Sequence, residues 1–233
     1  IINRNVRGLN KNLRSIFHSF KNTIFSLKIL AEQVKEDYGG PQGKAALARI
    51  EQITNEQFNS MTWMLDSFKE ITVVTESNKV IRVIEQALRK VGANKKVKVI
   101  RNYVTPDVRS IFDTYHITEA LYNIMQNAVE AMEHSNEKQA VLKIELSAEH
   151  EWVIIKITDN GTGIKKEALK KIFKPFYTTK SRQNNWGVGL SYSYRVIKAN
   201  LGFITVDSVE GQYTTFQILL PRADEEDGVN GEN

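Results

Sequence analysis

Asn123 and Asn127 stand four residues apart in Asn-Ile-Met-Gln-Asn, so a helix would project both amides from one face. Two amide carbonyls so placed can hold a hydrated Mg2+ and its attached phosphates, because this hard cation takes oxygen ligands and keeps several waters. Asp159 ends a β-patterned run and opens Asp-Asn-Gly161-Thr-Gly163-Ile164. A carboxylate at a strand end can accept a hydrogen bond from an exocyclic amine, and two glycines let backbone approach a ligand closely. Gly187-Val188-Gly189-Leu190 opens a helical pattern, and the N–H groups of a helix start attract phosphate. Between the glycine patches lies Ile172-Phe-Lys-Pro-Phe-Tyr-Thr-Thr-Lys180, in a stretch long enough to act as a lid. Phe173 and Phe176 can pin such a lid, while Thr178, Thr179 and Lys180 can reach phosphate oxygens. Singly, each patch also reads as a surface pair, a turn or a solvated loop. Their order along the chain, each on the element type predicted for it, points to one shared site.

A fifth group stands apart. In Ile16-Phe-His18-Ser-Phe-Lys-Asn22-Thr23, His18 and Asn22 share one helical face away from the apolar seam. A lone helical histidine is ordinarily a surface residue. Upstream of a nucleotide site, the nitrogen of a neutral imidazole is also a nucleophile.

The elements that must position these groups fall into two parts. From Asn3 to Tyr38, apolar residues recur at steps of three or four, including Leu13, Ile16, Phe20, Ile24, Leu27 and Val34. Consecutive steps of four around Phe20 interrupt the heptad. Gly39-Gly40-Pro41 breaks the helix, and a second pattern runs through Leu47, Ile50, Ile53, Met61, Leu65, Phe68 and Ile71. Two such helices make an antiparallel hairpin with one apolar face, which a second copy would cover as a four-helix bundle. After Ser77 the pattern changes: Asn78 is placed to cap a helix to Val91, and Lys96–Tyr103 alternates as a strand. Asp113–His134 and Val188–Asn200 read as helices. Val141–Leu146 with Val153–Thr158, and Phe203–Asp207 with Thr214–Leu220, read as strand pairs, and residues 160–186 as mostly loop. The tally is an α+β architecture, a mixed sheet with helices on one face.

In this order the patches resemble the motifs of the histidine-kinase ATP-binding superfamily. Asn123–Met132 resembles the N box, Asp159–Ile164 the G1 box, Phe173–Lys180 the F box, Gly187–Leu190 the G2 box, and Gly211–Pro221 the closing strand. The resemblance implies a Bergerat-type α/β sandwich that binds ATP and Mg2+. It implies that Asp159 meets the adenine amine with Thr214 in support, and that Asn127 holds Mg2+. Asn123 and the G1 residues Gly161, Gly163 and Ile164 join the nucleotide contacts; Thr178, Thr179, Lys180, Gly187, Val188, Gly189 and Leu190 hold phosphates. Gyrase-like members carry a glutamate base where this chain has Asn123, which cannot act as a base at neutral pH, so a dedicated ATPase is disfavoured. Tyr213 stands where the family usually has glycine and is expected to tighten the adenine end.

The His18 segment resembles the family's H box, with Ser19 in place of the usual acidic residue and Thr23 in place of proline. It implies autophosphorylation of His18, transfer to an aspartate of a response-regulator receiver domain, and a part for Asn22 in dephosphorylation. The alternative is a regulatory module that binds nucleotide without kinase activity.

Composition bounds the rest. The 233 residues are 41% hydrophobic and 25% charged, as in an ordinary globular protein. No apolar run approaches the ~20 residues of a membrane span. The absence of cysteine excludes disulfides and thiolate chemistry, and fits a reducing compartment. A dispersed net charge of +5 without a helix-turn-helix pattern argues against nucleic acid. Because the chain opens on Ile1, it is expected to be the cytoplasmic part of a longer protein whose upstream sensor is membrane-bound or cytoplasmic, with any membrane contact made there. The expected domains are a homodimerising phosphoacceptor hairpin at 1–75, a catalytic domain at 76–222, and an acidic disordered tail at 223–233.

Overall fold

A computed structural model describes residues 22–68, 71–92, 97–133, 135, 139–179 and 187–223, the side chains of residues 55–68 excepted. His18, Lys180, the heptad interruption at Phe20 and the tail beyond Ala223 lie outside the described residues. The chain divides into two compact units, one ending at Phe68 and the other beginning at Lys69.

The first unit is two helices, α1 (residues 22–36) and α2 (Pro41–Phe68), joined by a turn. Gly39 takes the left-handed conformation, φ +87°, that ends a helix without a Cβ penalty. The Asp37 carboxylate then accepts the N–H groups of Gln42 (2.9 Å) and Gly43 (3.1 Å), two of the orphan donors at the start of α2. Pro41 sits at the first helical position, where its missing N–H costs nothing. The breaker predicted at 39–41 is therefore a designed corner. Ile71, counted in the second helical pattern, falls beyond α2 in irregular chain.

In the second unit, β2 (Val97–Tyr103), β4 (Ala140–Glu149), β5 (Trp152–Asp159), β7 (Tyr213–Pro221) and β6 (Phe203–Val209) form one sheet in that order. β2 pairs parallel to β4, and every other neighbour is antiparallel. One sheet face, carrying Leu142, Ile144, Ile155, Ile157, Phe216 and Ile218, is buried under helices α3 (Val80–Val91), α4 (Thr114–Glu133) and α6 (Gly189–Ala199). The strand alternation sets that face, and the helices answer with Ile84, Leu121, Ile124, Met125 and Val196. This is the expected α+β sandwich.

A two-stranded sheet of β1 (Glu76–Lys79) and β3 (Arg109–Phe112) lies outside the predicted elements, as does the single turn α5 (Lys166–Leu169). Both strands are four residues long and too short to show a period. Asn78 is corrected accordingly. It pairs within β1 opposite Ser110, and α3 begins after Lys79 with its first N–H, from Val80, donated to the Val108 carbonyl (3.1 Å). The strand consumes the position a cap would need.

Candidate nucleotide site

Three strands bring polar residues into one lateral row on the buried face of the sheet. Asp159 on β5 is the cross-strand partner of Thr214 on β7, and Thr214 that of Ser208 on β6. Asp159 and Thr214 are each 3% exposed. Asp159 accepts the Gly161 N–H through Oδ1 at 2.9 Å, and no other partner occurs among the described residues. Burial pushes its carboxyl up to about 6, offset only partly by that backbone bond. A buried carboxylate so poorly partnered is suited to an incoming donor, such as an exocyclic amine.

The loop after Asp159 is shaped by close backbone approaches. A Cβ on Gly161 would lie 2.8 Å from Ala131 and from Asp159 Oδ1, and one on Gly163 would lie 2.1 Å from the Val209 carbonyl oxygen. Gly163 also holds φ +64°, which a side chain would strain. The Thr162 N–H donates to the Ala131 carbonyl at the end of α4 (3.2 Å), and its own carbonyl accepts from Gly211 in the β6–β7 turn (2.7 Å). The Ile164 N–H donates to Ser208 Oγ (2.9 Å). Asn160 anchors the other side: its Oδ1 accepts from Val141 and its Nδ2 donates to Gln139, each at 2.8 Å. Neither Ser208 nor Asn160 stood out in the sequence as a site residue; an Asx side chain in a turn was the available signal for Asn160.

On α4, the Asn127 Nδ2 donates to the Asn123 carbonyl one turn earlier (2.7 Å). That fixes the amide so that Oδ1 is the atom a cation would take. Asn123 Nδ2 is a buried donor with no partner among the described residues. Its side chain is what a Cβ on Gly189, at the start of α6, would meet, at an ordinary 3.7 Å. Gly161, Gly163 and Gly187 are demanded by the protein's own atoms; Gly189 is not. An unpaired amide beside an uncrowded helix start fits a phosphate group, which accepts hydrogen bonds and approaches backbone closely.

In the lid segment, Phe173 does the expected pinning, with ring centroids 5.4 Å from Tyr194 and 6.3 Å from Phe216. Phe176 is half-buried and holds φ +64°. Thr178 is half-buried and Thr179 exposed. A Cβ on Gly187 would meet the Tyr177 carbonyl oxygen at 2.4 Å, so the end of the lid and the entry to α6 run side by side. Val188 is buried, and Leu190 is half-buried in the first turn of α6. Asn22, the candidate in the other unit, is exposed on α1. Tyr213 requires a correction: its hydroxyl donates to Asp207 Oδ2 (2.7 Å) on the outer face of the sheet, opposite to the face of Thr214. Strand alternation takes it away from Asp159.

Residues 112–224 match the family described as histidine kinase-, DNA gyrase B-, and HSP90-like ATPase. Relatives that match most of the chain include proteins named as kinases and sensor kinases. Sporulation kinase E of Bacillus subtilis is 27% identical over 215 residues, covering 88% of this chain and 28% of that protein. The CAI-1 autoinducer sensor kinase/phosphatase CqsS of Vibrio cholerae is 30% identical over 239 residues, covering 92% of this chain and 34% of that protein. The chain thus spans about a third or less of these curated relatives. Among solved structures, histidine kinase ThkA in complex with response regulator protein TrrA superposes with a TM-score of 0.71 at 22% identity, over 94% of this chain and 64% of that one. The fold is shared, with a helical segment preceding a Bergerat-type domain.

Proposed function

We propose that the chain is an ATP-dependent protein-histidine kinase of a two-component system, autophosphorylating His18 and passing the phosphoryl group to an aspartate of a response-regulator receiver domain. The observation that carries the reading is the buried pair Asp159–Thr214, followed by the Gly161–Ile164 loop that packs on Ala131 at the end of the helix carrying Asn123 and Asn127. Asp159 accepts from the adenine amine, with Thr214 beside it and Gly161, Gly163 and Ile164 forming the wall. Asn123, Thr178, Thr179, Lys180 and the Gly187–Leu190 backbone hold phosphates, and Asn127 Oδ1 takes Mg2+. The cation supplies charge neutralisation at the phosphates.

A ring nitrogen of His18 attacks the γ-phosphorus in line, a P–N bond forms as the bond to the β-phosphate oxygen breaks, and ADP leaves. Such a reaction asks mostly for positioning and charge stabilisation, which this set of residues supplies. Asn22, four residues after His18 in the sequence, serves dephosphorylation of the partner by orienting the water that hydrolyses its phosphoryl group to inorganic phosphate.

The remaining boundaries belong to the same reading: a hairpin domain at 1–75, a catalytic domain at 76–222 and a tail at 223–233. In the single chain Ile24 is 58% exposed, Phe25 66% and Leu47 47%, which supports a homodimer that covers this face. No described helix is long and apolar enough to cross a membrane. A cytoplasmic location is the reading that suits an ATP-dependent kinase without cysteine.

Transfer tests the proposal. After incubation with γ-labelled ATP and Mg2+, label moves from the chain to an added receiver domain and fails to appear on an aspartate-free variant of that domain. A chain that binds nucleotide yet never becomes labelled is instead a regulatory nucleotide-binding module.

A further inference from the structure

Ser208 makes three hydrogen bonds, and their directions are determined by valence. Its Oγ lies 2.6 Å from the Tyr213 carbonyl, which only accepts, so the single Ser208 hydroxyl hydrogen is spent there. The Ile164 N–H donates to the same Oγ at 2.9 Å. The third contact, 3.0 Å to Thr214 Oγ1, must then be donated by Thr214. The Thr214 hydroxyl has no second hydrogen. What remains to it are lone pairs, beside a carboxylate that accepts from Gly161 alone among the described residues. The end of the row is thus an acceptor-only surface, and its polarity is set one strand away from the ligand. The raised carboxyl of Asp159 agrees, since no hydroxyl donates to it.

We infer that Ser208 is a specificity-determining positioning residue: by taking the Thr214 hydroxyl hydrogen it leaves only acceptors facing the base, which admits a purine with a 6-amino group and rejects one with a 6-oxo group. This rests on the nucleotide reading above. A guanine held in the orientation of adenine would set its 6-oxygen against the Thr214 lone pairs and the Asp159 carboxylate, with no donor to meet it. Without Ser208, the Thr214 hydroxyl is free to turn and donate to that oxygen.

The test is calorimetric titration of the full chain with Mg·ADP and with Mg·GDP. The wild type prefers ADP. Ser208→Ala lowers the ADP/GDP affinity ratio at least about fivefold, chiefly by admitting GDP, and Ser208→Thr, which keeps the hydroxyl, restores it. A ratio unchanged in Ser208→Ala, with both nucleotides weakened equally through the lost Ile164 contact, would show Ser208 to be merely structural and overturn the inference. Should Ser208→Ala fail to fold, Thr214→Val, which lacks the hydroxyl that Ser208 orients, must lower the ratio too; an unchanged ratio there overturns it equally. A wild-type chain that binds neither nucleotide removes the nucleotide reading itself, which is a different result from binding without discrimination.

Discussion

Asp159 and Thr214 are cross-strand partners on the buried face of the sheet, yet their side chains share no hydrogen bond, because the Thr214 hydroxyl donates to Ser208. The pair is left as two neighbouring acceptors in a nearly dry site. Such an arrangement costs the fold stability and is useful only if a donor arrives. Function and stability are therefore expected to part at this position.

Asp159→Asn measures that separation. The folded carboxyl titrates near 6, above its ordinary value of 3.8, so the folded state takes up the proton more readily than the unfolded chain. Its ionised form therefore weakens the fold at neutral pH, and the loss is relieved as pH falls from about 6 towards 4. Replacement by the neutral amide is expected to raise nucleotide-free stability at pH 7.5 by up to about 3 kcal/mol, read by chemical denaturation. The same variant is expected to lose nucleotide binding by roughly a hundredfold, the scale set by an unpaired donor on the ligand.

Binding itself is expected to depend on pH in the opposite sense. The amine needs the ionised carboxylate, so ADP affinity holds at pH 7.5 and falls by up to about tenfold at pH 5, below the Asp159 midpoint near 6. Titrations at the two pH values check this, and Asp159→Asn should flatten the difference.

Two glycine substitutions should behave in contrasting ways. Gly163→Ala puts a Cβ 2.1 Å from the Val209 carbonyl oxygen at φ +64°, and should destabilise the domain by roughly 2 kcal/mol or more. Gly189→Ala meets nothing closer than Asn123 at 3.7 Å, so its melting temperature should barely move. Its nucleotide affinity should nevertheless fall, because the methyl group occupies the approach to the helix start. Thermal melts paired with nucleotide titrations distinguish the two effects.

Asp113 caps α4 and secures the segment before β1: its Oδ1 accepts the His116 N–H and its Oδ2 the Val74 N–H, each at 2.9 Å. Asp113→Ala should cost about 1–2 kcal/mol by denaturant titration, the usual range for a lost cap.

The site was legible where chemistry repeats a spacing. The four-residue step from Asn123 to Asn127, the glycines after Asp159 and the glycines opening α6 could all be read along the chain. What stayed hidden was lateral. Ser208 belongs to the site because β6 pairs with β7 in a register that sets it beside Thr214, and a serine in an alternating run carries no mark of that. The same register explains Tyr213: a one-residue step in a strand exchanges faces, so the residue next to Thr214 turns away from Asp159 and bonds Asp207 instead. Asn78 looked like a cap because its type suits caps, and the four-residue pairing of β1 with β3 overrode that preference. The helical hairpin was readable from the Gly39–Pro41 break, while the Asp37 bonds that shape its corner appear only once the turn is formed.

The central claim is that the phosphoryl group lands on His18. The direct measurement is mass-spectrometric mapping of the chain after incubation with Mg·ATP, combined with the acid and alkali stability of γ-label. The account predicts one acid-labile, alkali-stable phosphoryl group on the peptide containing His18, absent from His18→Ala and from Asn127→Ala. Acid-stable label on a serine or threonine, or label undiminished in His18→Ala, would contradict it.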